Sequence, residues 1–159
     1  MRCFATGASN ARWFLPSLAA FGLLLFLAAP VQADPKASLN IVVIHAKKGP
    51  PFLHPDLKPL WATLKKTFGD KFGYYNKLQD TVRQVAKLGK TSIKMPDGER
   101  FAAIYKGITP NKGLLRIALE YGDFRTKVRI HDGGLFFQAG RKHDGGVLVV
   151  AIQARLLEE

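Results

Sequence analysis

The spacing of turn signals after Tyr74 constrains the fold of this chain more than any other feature. Turn motifs separate short runs about every eight to twelve residues, a spacing typical of an all-β sandwich or barrel. The motifs include "MPDGE" at 95–99, "TPNKG" at 109–113 and "YGDF" at 121–124. Asp-Gly and Pro-Asp-Gly favour tight turns because glycine takes the positive φ that many turns require.

The runs between these turns alternate between apolar and polar residues, as half-buried strands do. In "LLRIALEY" at 114–121 the apolar positions face one way, while Arg116 and Glu120 face the other. The last run, "GVLVVAIQA" at 146–154, is apolar on both faces and predicts a central strand covered on both sides. The β-branched run "LNIVVIHA" at 39–46 predicts a buried first strand.

One helix is predicted between the first two strands. Its apolar residues recur at i, i+3, i+4, i+7 and i+11, which places them on one helix face: Leu57, Leu60, Trp61, Leu64 and Phe68. Asp56 is expected to cap its start and Gly69 to end it. The segment "LQDTVRQVAKLG" at 78–89 fits a helix or a strand, and its strand neighbours favour a strand. The prediction is a mainly antiparallel β-sandwich of seven or eight strands with one α-helix.

Residues 1–33 have the pattern of a secretory signal peptide. Arg2 and Arg12 precede or flank an apolar core at 13–30, and "VQA" at 31–33 offers small residues to signal peptidase. We expect cleavage between Ala33 and Asp34, export by the Sec route to the periplasm or beyond, and one β-rich domain over residues 34–159. The alternative is an uncleaved membrane anchor, because ~18 apolar residues approach the length that spans a bilayer.

Charge is the feature of the mature chain that points to a partner. Removing two of the 24 basic residues with the leader, and none of the 12 acidic ones, leaves a net charge of +10. Alternation in "FRTKVRIH" at 124–131 puts four basic positions on one strand face: Arg125, Lys127, Arg129 and His131. We expect them to contact an anionic envelope component or an acidic protein surface. Nucleic acid is disfavoured because no recognition motif or interleaved aromatic platform accompanies the charge.

The sequence His-Asp-Gly-Gly occurs twice, at 131–134 and at 143–146. If both copies are turns, one strand joins them and separates their tips by ~30 Å. If "QAGR" at 138–141 forms the turn instead, His131 and His143 still lie ~16 Å apart, beyond the reach of one metal ion. We therefore interpret both copies as turns.

Catalytic patterns are weak in the mature chain. The one cysteine of the full chain, Cys3, lies in the leader, so the mature chain has none. Its two serines, Ser38 and Ser92, are outside any Gly-x-Ser-x-Gly motif. No glycine-rich phosphate loop occurs, and no pattern requires a cofactor. The primary hypothesis is a non-enzymatic binding or accessory protein of the envelope. Two alternatives are a metal-assisted hydrolase that uses His131 or His143, and a structural subunit of a secretion or surface assembly.

The order of these features resembles that of small exported bacterial β-rich proteins of unknown function. In those proteins a Pro-x-Gly turn opens a run of strands and a glycine-rich turn precedes a final apolar strand, as "MPDGE" and "GGVLVVAI" do here. The resemblance covers most of residues 39–154 and implies no activity. The stretch "KVRIHDGGLFFQAG" at 127–140 also resembles β-modules of outer-membrane secretion pores.

Overall fold

A computed structural model of the chain describes residues 35–157, which all belong to one compact unit. The elements follow one another as β1 (Ala37–Lys47), β2 (Phe52–Leu53), a 3-10 turn (Pro55–Leu60), α1 (Trp61–Phe68), β3 (Tyr74–Val85), β4 (Lys90–Lys94), β5 (Arg100–Ile108), β6 (Leu115–Tyr121), β7 (Phe124–Ile130), β8 (Leu135–His143) and β9 (Gly146–Leu156). The predicted leader, residues 1–33, lies outside the described residues. No helix within the described range is long and apolar enough to cross a bilayer.

The strands form two sheets. The five-stranded sheet has the order β2-β3-β1-β9-β8, and the four-stranded sheet has the order β4-β5-β6-β7. Every pairing is antiparallel except that of β2 with β3. The predicted sandwich is confirmed. The described residues form nine strands, one more than the seven or eight predicted. The additional strand is β2, a two-residue strand in the proline-rich loop, so the helix lies between the second and third strands.

Two hydrophobic cores arrange these elements in three layers. Alternate residues of β1 and β9 point toward the four-stranded sheet, and the residues between them point toward the helix. Among the fully buried side chains of the core between the sheets are Leu39, Ile41, Phe101, Tyr105, Leu115, Ile117 and Leu119. The prediction that "GVLVVAIQA" is covered on both faces is confirmed, because β9 contributes to both cores.

The helical segment buries the predicted apolar face against the five-stranded sheet. Leu57 and Leu64 are fully buried, and the three other residues of that face pack around them. The first six residues of the segment, Pro55–Leu60, are 3-10 rather than α, and they contain Pro59, which lacks a backbone N–H. Asp56 does not cap the segment as predicted. The ring Nδ1 of His54 accepts the Asp56 N–H at 3.3 Å instead.

The three turn motifs predicted after Tyr74 are also confirmed. The three turn motifs connect β4 to β5, β5 to β6, and β6 to β7. The ambiguous segment at 78–89 is strand up to Val85, where β3 ends, and then turns through residues 86–89 into β4.

A polar cluster, which we call the edge clamp, joins the "MPDGE" turn to the other sheet. Its members are Asp97, Glu99, Tyr121 and Arg141. The Asp97 carboxylate accepts the Tyr121 hydroxyl at 2.9 Å and Arg141 Nε at 3.0 Å. Arg141 also lies 3.4 Å from a Glu99 oxygen, and its guanidinium carbon is 5.0 Å from the Tyr121 ring centroid. Because Arg141 belongs to β8, the clamp joins an edge strand of the five-stranded sheet to the β4–β5 turn and to β6 of the other sheet.

Candidate functional site

The outer side of the four-stranded sheet is a strongly basic surface, which we call the basic face. Inward residues of β4–β7 pack into the core, so the alternate residues point to solvent. The lysines and arginines on this face are Lys90, Lys94, Arg100, Lys106, Arg116, Arg125, Lys127 and Arg129. Glu120 is the one carboxylate that these four strands place among them.

Glu120 partly offsets the positive charge at one end of the basic face. Lys90 Nζ lies 2.6 Å from one Glu120 oxygen, and Arg125 Nε lies 3.9 Å from the other. The hydrogen bond from Lys90 lowers the pKa of Glu120, and the positive charge of Arg125 acts in the same direction. Arg125 is therefore partly neutralised by its cross-strand partner.

The positive charge has less compensation at the other end of the basic face. There the register sets Arg116 directly opposite Arg129, and Lys127 opposite Ala118. Within residues 35–157 no carboxylate approaches Arg116, Lys127 or Arg129 to form an ion pair. Arg116 Nη2 donates instead to the Lys106 carbonyl oxygen at 2.8 Å.

A groove of about 520 Å³ opens between these unpaired cations, and we call it the basic groove. It is lined by Leu88, Lys106, Arg116, Ile117, Ala118, Lys127, Val128 and Arg129. The lining combines four cationic side chains with apolar ones, and no acidic residue contributes to it. Such a groove can accept an anion that carries an apolar part, because arginine and lysine donate to phosphate or carboxylate oxygens while the apolar residues exclude water.

The four residues predicted from "FRTKVRIH" do not all lie at the basic groove. Arg125, Lys127 and Arg129 are exposed on β7, as the alternation predicts. Lys127 and Arg129 line the basic groove, whereas Arg125 lies near Glu120. His131 is exposed but lies beyond the end of β7, where the chain turns toward the other sheet.

Sequence reasoning missed two cations of the groove, Lys106 and Arg116. They belong to β5 and β6, and only the strand register brings them beside β7. Leu88, which lies in the turn before β4, was also missed. Its neighbours Lys87 and Lys90 make this turn look like an ordinary solvated loop in the sequence.

The first His-Asp-Gly-Gly unit, residues 131–134, is a turn as predicted, and it joins the two sheets rather than forming a hairpin within one. It carries the chain from β7, an edge of one sheet, to β8, an edge of the other. Gly133 N–H donates to the Ala154 carbonyl at 2.8 Å, which attaches the turn to β9. The Asp132 carboxylate accepts the Leu156 N–H at 2.8 Å. Asp132 therefore supplies a partner for the backbone at the end of β9.

The second unit, residues 143–146, is a two-residue hairpin between β8 and β9. Asp144 and Gly145 have φ values of 41° and 69°, and the two flanking residues pair with each other. Two consecutive positive φ angles are the pattern of a type I′ turn. The alternative turn at "QAGR" is wrong, because residues 138–141 lie within β8, where the register shifts between Ala139 and Arg141.

The two histidines of the repeats lie at opposite ends of β8. His143 lies beside His45 of β1, with ring centroids 5.6 Å apart, and the His45 Nε2 lies 3.1 Å from the His143 carbonyl oxygen. Among the described residues no three histidine, cysteine or acidic side chains converge in a way that could hold a metal ion. The hydrolase hypothesis for His131 or His143 stays a prediction.

One cation on the helix side of the molecule, Lys77, is paired with carboxylates, unlike Arg116, Lys127 and Arg129. Lys77 of β3 forms an ion pair with Asp56 and lies 3.6 Å from an Asp80 oxygen. The hydrogen bond from Lys77 lowers the pKa of Asp56 and raises that of Lys77. The basic groove is the better candidate for binding an external anion, because it brings four cationic side chains together around one cavity without an acidic residue in its lining.

Neither a protein family model, a curated protein nor a solved structure matches this chain. The resemblance to small exported bacterial β-rich proteins stays a prediction.

Proposed function

We propose that this protein is a non-enzymatic binding module whose basic face contacts an anionic partner. The observation that carries the proposal is the cross-strand pairing of Arg116 with Arg129 on a face that holds eight cations and one carboxylate. The partner is an anionic envelope component or an acidic protein surface. The proposal includes export, with the leader at 1–33 removed by signal peptidase.

The pairing of two arginines costs free energy in the isolated protein. Like charges directly opposite each other in an antiparallel sheet destabilise it, and cross-strand pair energies are roughly 0.2–1 kcal/mol. An anion bound between Arg116 and Arg129 would attract both side chains and so offset their mutual repulsion. Arginine suits this role because its planar guanidinium can donate two parallel hydrogen bonds to a phosphate or carboxylate.

The choice of an envelope partner follows from the predicted export. An exported cationic domain meets lipid head groups, acidic polymers and acidic protein surfaces, and charge complementarity accelerates the encounter. Exposed cations are screened over ~8 Å at physiological salt, so binding through the basic face must weaken as salt rises.

Co-sedimentation of residues 34–159 with isolated cell envelopes across a salt series tests the proposal. The test variant replaces Arg116, Lys127 and Arg129 with alanine. The matched control replaces three exposed lysines of the helical segment, Lys58, Lys65 and Lys66, and so removes the same charge from another surface. Because both variants have the same net charge, any difference between them reports on the location of the charge.

The proposal predicts that the groove variant loses most of its binding at 0.15 M salt, while the helix variant keeps most of it. Binding of the unaltered protein should fall steadily as salt rises. Equal loss in both variants would mean that net charge alone drives sedimentation. Unchanged binding in the groove variant would contradict the proposal.

A further inference from the structure

Leu88 combines two features that are unfavourable in an isolated protein. Its φ is 65°, in the left-handed region that glycine and asparagine adopt most readily. The residue is also 65% exposed, the most exposed of the large hydrophobic residues described. Neither backbone preference nor burial accounts for a leucine at this position, and such local strain is a feature of functional sites.

The backbone around Leu88 holds this side chain in place. The Leu88 N–H donates to the Tyr105 carbonyl at 2.6 Å, and the Tyr105 N–H donates to the Gly89 carbonyl at 3.1 Å. These bonds attach the turn to β5 as an extension of the four-stranded sheet. Leu88 is therefore presented from an anchored turn at the rim of the basic groove.

We propose that the basic groove is a membrane-contact site that binds the phosphate headgroup of an anionic phospholipid while Leu88 enters the lipid interface. This inference rests on the proposed function and specifies its partner. Lys106, Arg116, Lys127 and Arg129 surround the groove, and Leu88 is the exposed apolar residue beside them. An anionic lipid surface matches both parts, since it presents phosphates and hydrocarbon a few ångströms apart.

A soluble polyanion would match only the charge. It would be held by the arginines and lysines but would gain nothing from an exposed leucine. Leu88 therefore distinguishes a lipid surface from a purely polar acidic polymer. Each basic residue near an anionic membrane strengthens binding by about fivefold, so the four groove cations support reversible contact rather than permanent insertion.

The test compares residues 34–159 with the same protein carrying Leu88→Asn. Residues 34–159 are the appropriate form because both cores and all the strand pairings lie within residues 35–157, and because the apolar leader would itself bind lipid. Asparagine tolerates a positive φ, so the variant should melt at the same temperature as the unaltered protein or slightly higher. A loss of binding then reports on the lost apolar contact.

Binding is measured by sedimentation with three probes: phosphatidylcholine vesicles, vesicles with 30 mol% phosphatidylglycerol, and soluble polyphosphate. The inference predicts binding to the phosphatidylglycerol vesicles and little binding to phosphatidylcholine alone. Leu88→Asn should weaken binding to phosphatidylglycerol vesicles by roughly fivefold to tenfold, as expected for partial burial of one leucine. It should leave polyphosphate binding, followed by a shift in gel filtration, unchanged.

Four outcomes would overturn the inference. Equal vesicle binding by Leu88→Asn would show that the leucine does not enter the interface, and equal binding to both vesicle types would show that the headgroup charge is not recognised. Groove-dependent binding to polyphosphate without vesicle binding would overturn the lipid site but support the proposed function. Failure to bind any anionic probe or the cell envelopes would overturn both.

Discussion

At the scale of single residues, the repeated His-Asp-Gly-Gly sequence is explained by backbone geometry. The third position of each unit has a positive φ, 70° at Gly133 and 69° at Gly145. The fourth position has no room for a side chain. A Cβ on Gly134 would lie 2.8 Å from the His131 carbonyl oxygen, and one on Gly146 would lie 2.5 Å from the Ala46 carbonyl oxygen. Two different turns thus require the same pair of glycines.

This explanation predicts that Gly146→Ala destabilises the protein, while Gly145→Asn does not. The added methyl group would collide with the backbone of Ala46 and with the His45 ring, and overpacking of this kind typically costs about 1–3 kcal/mol. Asparagine at 145 meets open space and tolerates the positive φ. Urea unfolding of the two variants measures the difference, and equal stabilities would contradict the account.

The edge clamp predicts a stability contribution that depends on pH. Burial alone would raise the pKa of Asp97, but hydrogen bonds from Tyr121, Arg141 and the Glu99 N–H outweigh it and hold that pKa below its usual range. A lowered carboxyl pKa stabilises the folded state above the unfolded pKa of about 4, and this stabilisation is lost as pH falls through the folded value.

Asp97→Asn should therefore cost about 1–3 kcal/mol at pH 7, because it weakens hydrogen bonds to a partly buried charged group. The difference from the unaltered protein should shrink at pH 3. Urea unfolding at the two pH values measures it. A difference that stays constant or grows toward low pH would mean that the Asp97 charge does not stabilise the clamp.

At the scale of the elements, periodicity predicted most strands and the helix. The alternation in "LLRIALEY" and "FRTKVRIH" matches β6 and β7, and the i, i+3, i+4 pattern matches the buried face of the helical segment. These patterns are predictive because a strand or helix that buries one side carries its apolar residues at a regular spacing along the sequence. The short strand β2 has no such pattern, since it pairs with only two residues of β3.

Pairing between distant elements could not be predicted in the same way. Local sequence shows that residues 131–134 turn, but not that the turn crosses from one sheet to the other. The opposition of Arg116 and Arg129, and the position of Lys106 beside them, depend on the register of three strands. The positive φ of Leu88 depends on how its turn is bonded to Tyr105. The sequence therefore predicted part of the basic face and none of the groove geometry.

The helix contributes stability by covering one side of the five-stranded sheet. Leu64 is fully buried between α1 and the sheet, so Leu64→Ala should cost about 2–5 kcal/mol. Lys66→Ala, an exposed substitution on the same helix, should cost less than about 0.5 kcal/mol. Thermal and urea unfolding provide the comparison. A small effect at Leu64 would show that the helix is not an integral layer of the core.

At the scale of the whole described region, the three layers leave the two sheets in different environments. The five-stranded sheet packs between the helix and the other sheet, so its central strands are apolar on both sides. The four-stranded sheet is covered on its inner side, and its outer side carries the eight cations of the basic face. The architecture thus concentrates positive charge on the one sheet surface that no described element covers.

The central claim is that the basic face, and its groove in particular, is the surface that contacts an anionic partner. The most direct test records amide spectra of ¹⁵N-labelled residues 34–159 during titration with polyphosphate. The account predicts shifts concentrated in β5, β6 and β7 around Lys106, Arg116 and Arg129, with little change in α1. Equal shifts around Lys58, Lys65 and Lys66, or shifts spread evenly over every basic residue, would contradict it.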